Sequence, residues 1–165
     1  MSTATPMEEL KARLEARRQV QVASSGEKEA WIQDIAGLCA TVREWCRPLE
    51  EQGLLEVKPG RLEVHEPALG TYTADQLAFC LPGSAYHAAL EPRGLRMTGV
   101  RTDDRNAIQG MTGRVDFGSY TGDVIPVFRD KHGKWCMVGR LPGLDGEFHP
   151  FDEQTFAVAL DWLLP

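Results

Sequence analysis

The chain lacks nearly every short motif that ties a residue pattern to a reaction. Its 165 residues contain no GxxxxGKS or GxxxxGKT, no GxGxxG behind a strand, no HExxH and no GxSxG. Phosphate-cradling loops, dinucleotide folds, zincin centres and serine-hydrolase elbows therefore have no sequence support. The four cysteines, Cys39, Cys46, Cys80 and Cys136, make no CxxC and no Cys/His cluster with zinc spacing. Cys39 and Cys46 lie on one expected helix about 10 Å apart along its axis, too far for a disulfide. Reduced core thiols are the simple reading. No apolar run approaches the ~20 residues that a membrane span needs. Positive charge is also short, with 18 Lys and Arg against 24 Asp and Glu and a net charge of -6. A broad phosphate-binding surface would need clustered bases, so nucleic acid is not expected as a direct partner. The opening MSTATPMEELKARLEARR interleaves acids and bases without an apolar core, unlike a secretory signal, and a cytoplasmic location is the expectation.

What is present is the composition of one ordinary globular domain, 42% hydrophobic and 25% charged. A chain of this length buries roughly two-thirds of its unfolded surface and folds without staples. Thr5-Pro6-Met7-Glu8 reads as a helix start, with a capping Thr, Pro at the first helical position and Glu closing a capping box. The helix is expected to reach about Val22 as a thinly apolar arm. It is either a solvated arm or a contact for a partner or a second copy. Ser24-Ser25-Gly26-Glu27 suggests an interruption before a second helix, where Trp31, Ile35, Leu38, Val42, Trp45 and Leu49 form an apolar stripe. Pro48 is expected to kink or end that helix near Arg47, with Gly53 stopping it.

Leu54 to Val57 and Arg61 to His65 read as a hairpin around Lys58-Pro59-Gly60, with Val57, Leu62 and Val64 inward and Glu56, Glu63 and Glu66 outward. Gln76 to Leu81, Ser84 to Leu90 and Leu95 to Val100 are further expected strands, and Arg101 to Asn106 a polar loop. The plainest strand pattern lies in Arg114 to Leu141. There RVDF and WCMV alternate with a period of two, and Asp130-Lys131-His132-Gly133 supplies a turn. Pro126 has no N–H for a ladder, so the strand from Val124 to Phe128 is expected at a sheet edge or at a bulge. LPGLDGEFHP reads as a loop, and Phe151 to Leu164 as a closing helix. The fold class is α+β: a helical arm over 1–22, then one domain over 23–165. It comprises two N-terminal helices, an antiparallel sheet of about six strands and a C-terminal helix.

Candidate chemistry is sparse. A thiol-dependent hydrolase or transferase would use Cys80 or Cys136 as nucleophile and His87 or His132 as base, although no local spacing brings any pair together. Asp103, Asp104 and Asp116 stand beside Arg101, Arg105 and Arg114, so ordinary ion pairs account for them and no metal is assigned. No cofactor or catalytic residue is assigned either. The acids Asp145, Glu147, Asp152, Glu153 and Asp161 run on without an intervening Lys or Arg. That run is either a solvated face or a docking surface for a basic partner.

Helices followed by GLLEV, LGTY, GRVDF, a short-turn hairpin and FDEQTFAVALDWLL resemble small bacterial proteins of uncharacterised function. In size, acidity and lack of catalytic motifs the chain is also similar to bacterial immunity proteins. That resemblance implies a non-catalytic protein that binds another protein, a basic toxin. The resemblance carries over no functional residue; the acidic stretches and their aromatics themselves suggest Tyr120, Asp145, Glu147, Phe148, Asp152 and Glu153 as the contact surface, with Trp162 as a further anchor. The alternative is an accessory subunit assembling through its N-terminal helices, including as a homodimer.

Overall fold

The computed structural model describes residues 5–85, 87–96 and 111–165, and side chains for all of these except 21–24. Helix α1 (Pro6–Glu51) is followed by β1 (Glu56–Glu66), β2 (Gly70–Cys80), β3 (His87–Gly94), β4 (Arg114–Ser119), β5 (Val124–Arg129), β6 (Trp135–Val138), β7 (Phe148–Pro150) and α2 (Glu153–Leu163). The fold is α+β, with one antiparallel sheet of seven strands in the order of the chain. Each strand pairs with its sequence neighbours, so every turn lies at one of two ends of the sheet.

Thr5 caps α1 through the expected box with Glu8. The backbone stays helical through Ser25 and Gly26, yet the two parts of α1 differ sharply in surroundings. Residues 6–20 are exposed throughout, whereas Trp31, Ile35, Leu38, Val42 and Cys46 are buried against the sheet. Ser and Gly weaken a helix by only about 1 kcal/mol per residue, which flanking turns can absorb. Pro48 does not end the helix. It stands one turn before the C-cap Gln52, where the carbonyl of Glu44 alone loses its donor. Gly53, at φ +69°, closes the segment as expected.

The expected hairpin about Pro59-Gly60 is instead the single strand β1, paired along its whole length with β2 from Glu56↔Cys80 to Glu66↔Gly70. An edge strand tolerates proline, so the Pro-Gly pair marks no turn here. Burial changes phase along this ribbon without a slip in register: Val57 and Phe79 are buried at one end, Val64 and Tyr72 at the other. β3 pairs β2 only up to Leu77↔Leu90. Beyond that point the ribbon is two-stranded, and two-stranded ribbons twist most strongly. Its far end thus turns the opposite face inward, and Glu66, expected outside, is buried beside Val64, with which it shares a face two residues apart.

Pro126 also departs from expectation, because β5 lies between β4 and β6. Arg129 donates its N–H to Gly113 on the β4 side, so alternation aims the nitrogen of Pro126 at β6. The β5–β6 ladder ends at Val127↔Met137, one residue short of it. The ladder stops where Pro126, opposite Val138, has no N–H to give. Leu95 and Arg96 form a turn, while the rest of the expected strand to Val100 and the loop from Arg101 to Asn106, with Asp103 and Asp104, lie outside the described residues. The last three residues of the expected LPGLDGEFHP loop are β7.

The core lies between the sheet, the second half of α1 and α2. Phe117 stacks on Phe156 at 5.4 Å, Phe79 meets both at 5.6 Å, and Trp45 packs on Phe151 and Phe156. Asp152 caps α2 with Thr155. The buried face of α2 comprises Thr155, Phe156, Ala159, Leu160 and Leu163, which leaves Trp162 turned outward. At the opposite end of the sheet, Trp31 donates its indole N–H to Tyr72 (3.1 Å), and the Arg129 guanidinium lies 5.0 Å above the same ring.

Candidate functional site

Three turns gather at the sheet end where β2, β4 and β6 finish: β2–β3, β4–β5 and β6–β7. Helix α2 runs about 16 Å and brings its C-terminus to this end, where His87, Tyr120, Asp123 and Trp162 help line a cavity of about 150 Å³. Tyr120 is 65% exposed, Trp162 43% and Val124 44%. The β4–β5 turn that carries Tyr120 is tied down. Its N–H donates to the carbonyl of His87 (3.0 Å), Ser119 N–H to Asp123 (2.8 Å) and Asp123 N–H to the Ser119 hydroxyl (3.2 Å). Gly122 takes φ +97°, which a residue with a Cβ would resist. An exposed aromatic on a braced turn loses little freedom when a partner covers it.

Of the six residues expected to contact a partner, Tyr120, Asp145, Glu147 and Phe148 lie at this end. Asp145 is exposed, and Glu147 and Phe148 are half-buried beside the Val138↔Phe148 pair. Asp152 and Glu153 lie beyond the other end of β7, about 10 Å away along a three-residue strand. Asp152 is moreover engaged as the N-cap, accepting from Thr155 N–H at 2.9 Å. The surface is therefore two patches. Asp123, which is exposed, adds an acid to the lining of the Tyr120 cavity, and the exposed Asp161 precedes Trp162 on α2. Asp161 belongs to the acidic run of the sequence. Asp123 was recoverable only by folding the β4–β5 turn against the end of α2.

The thiol alternative fares unevenly. Cys80 and His87 stand directly opposite each other across β2 and β3, a pairing that no sequence spacing reveals. Among the described residues no hydrogen bond joins them, and the His87 ring instead lies 5.6 Å from Tyr120. Burial pushes the thiols of Cys39 and Cys46 up to about 12 and raises that of Cys136, which keeps these three protonated and weakly nucleophilic at neutral pH. His132 sits in the β5–β6 turn, its N–H bound to the Asp130 carboxylate (2.8 Å). Asp116 is gripped by Arg114 (2.6 Å), one of the expected arginines, and by Arg93 (2.8 Å), which the register of β3 and β4 brings beside it. Among the described residues, no three His, Cys, Asp or Glu side chains gather as a metal site.

A second polar cluster is structural. The Glu66 carboxylate, 5% exposed, accepts from the Tyr72 hydroxyl, from Leu95 N–H (3.1 Å) and from Arg96 N–H (3.0 Å). Burial and the Glu66 charge hold the Tyr72 phenol well above its ordinary range. All these partners are internal, so the cluster fastens the β1–β2 tip to the end of β3.

No family model matches the chain, and neither curated proteins nor solved structures provide a match. Among the described residues, no helix is long and apolar enough to cross a membrane.

Proposed function

We propose that the chain is a non-catalytic protein-binding protein, of the immunity type, that neutralises a basic bacterial toxin in the cytoplasm. The observation that carries the reading is the convergence of Tyr120, Asp123 and Trp162 on one cavity, with the exposed Asp161 next to Trp162 in the chain. Exposed aromatics within a charged rim are the usual energetic centre of an interface, and the acids would steer a basic partner toward them. Asp145 and Glu147 extend the rim through the neighbouring β6–β7 turn.

The test is affinity purification from the native host at low and moderate salt, comparing the wild-type chain with Tyr120→Ala/Trp162→Ala and with Asp123→Lys/Asp145→Lys/Asp161→Lys. One stoichiometric partner should be retained and lost as salt rises. Its affinity should fall at least about 30-fold in the aromatic variant, since anchor residues contribute about 2 kcal/mol or more. Asp152 is left intact because its reversal would uncap α2 and confuse binding with folding. A partner held equally by all three proteins would refute the assignment of the surface.

A further inference from the structure

The first part of α1 is exposed and stands apart from the acidic face. The seam of Trp31, Ile35, Leu38, Val42, Trp45 and Leu49 repeats at four and three residues, and the same register, after the polar positions Lys28, Ser24, Gln21 and Arg17, meets apolar residues again at Leu14, Leu10 and Met7. In the second part of α1 the domain's own sheet covers most of that seam. In the arm it stands open, with Met7 72%, Leu10 44% and Leu14 52% exposed. Helical geometry puts Lys11 and Arg18 along one side of this stripe and Arg13 along the other, while Arg17 follows Leu10 by seven residues and closes the stripe itself. Glu8, Glu9 and Glu15 fall farther round. Met7, Leu10, Lys11, Leu14 and Arg18 line a shallow groove of about 480 Å³, with Glu8 and Glu15 on its outer bank. Among the described residues Lys11 pairs with Glu15, and that ion pair is long at 4.0 Å and solvent-exposed, so it holds Lys11 only weakly.

We propose that residues 6–20 pair with an amphipathic helix of another protein whose apolar seam is flanked by Asp and Glu. Charge chooses this occupant. A second copy of the arm would bring cations against cations in either orientation, since both flanks of the stripe are basic. An anionic membrane surface fits less well. The stripe is the narrow kind that suits a helix pair, no aromatic lies within residues 6–20, and three acids share the segment.

The experiment uses the full chain and two labelled synthetic helices of four heptads with Leu seams, one flanked by Glu and one by Lys, read by fluorescence anisotropy. The Glu-flanked helix should bind at least tenfold more tightly, weaken with salt, and lose its advantage to the Lys-flanked helix when Lys11→Glu/Arg18→Glu is introduced. Both substituted positions are solvent-exposed, so the circular dichroism of the variant should match that of the wild type. Leu10→Ala/Leu14→Ala should abolish binding of either helix. Equal binding of the two helices, or binding of neither, overturns the proposal. So does co-sedimentation with anionic vesicles in the absence of helix binding, or a concentration-dependent dimer that Leu10→Ala/Leu14→Ala disperses.

Discussion

Replacing Gly113 with Ala should be among the most damaging single-methyl changes in the protein. Gly113 takes φ +89° just before β4, and a Cβ there would lie 2.4 Å from one carbon of the Trp31 ring and 2.6 Å from the next. Two penalties add. A side chain in left-handed backbone costs about 1–2 kcal/mol, and forcing a methyl into a packed site costs about 1–3 kcal/mol. Trp31 cannot easily yield, because it is fully buried, bonded to Tyr72 and packed against Trp135. The expected loss is about 2–5 kcal/mol, a large share of the stability of a domain this size. Urea unfolding followed by tryptophan fluorescence measures it. The cause is isolated by repeating the substitution in a Trp31→Leu background, where only the backbone penalty remains and the cost should fall by about 1–3 kcal/mol. Equal cost in both backgrounds would refute the steric account.

Two further outcomes follow from buried groups. Because the folded values of the Cys39 and Cys46 thiols are raised, to about 12, their contribution to stability is complete below the ordinary thiol value. It is lost as pH rises through that value toward the folded one. At pH ~10.5 the loss should reach about 2 kcal/mol per thiol, measured by urea titration across alkaline pH, and a Cys39→Ala/Cys46→Ala protein with the same alkaline slope would contradict it. Glu66→Ala leaves the Tyr72 hydroxyl and the amides of Leu95 and Arg96 without their acceptor. A loss of about 2–5 kcal/mol is expected, with hydrogen exchange at Leu95 and Arg96 accelerating, and unchanged exchange at both amides would sink the clamp.

Local pattern disclosed the elements whose apolar residues recur at the period of a strand or a helix, even where a polar neighbour such as Asp116 is buried as well. β4, β5, β6 and α2 could be read because Val115 and Phe117, or Phe156 and Ala159, recur at the period of their element and point to one core. β1 could not, since Pro59-Gly60 carries the chemistry of a turn and only its place at the sheet edge lets it stay extended. Glu66 was expected outward because a carboxylate is normally solvated, although it shares a strand face with Val64 and is buried with it. At the acidic face, the sequence displayed the charges and the aromatics but not their grouping. Tyr120 and Trp162 are far apart along the chain, and α2 must fold back along the sheet before they share a cavity. The same is true of Cys80 and His87, whose opposition depends on the β2–β3 register alone.

The strictly sequential strand order has a consequence during synthesis. The apolar seam of α1 leaves the ribosome first, while most of the surface that covers it, from β2 through β6 and α2, is still untranslated. At about 5–20 residues per second, Trp31, Ile35 and Val42 wait on the order of five to twenty seconds before β6 emerges. Throughout that interval the nascent chain presents a bare amphipathic helix to chaperones and to neighbouring nascent chains. Once translation is complete, each later strand needs only the one before it as a template, so the sheet can close over the helix by successive hairpins. The interval of greatest hazard is thus set by the rate of translation rather than by the rate of folding.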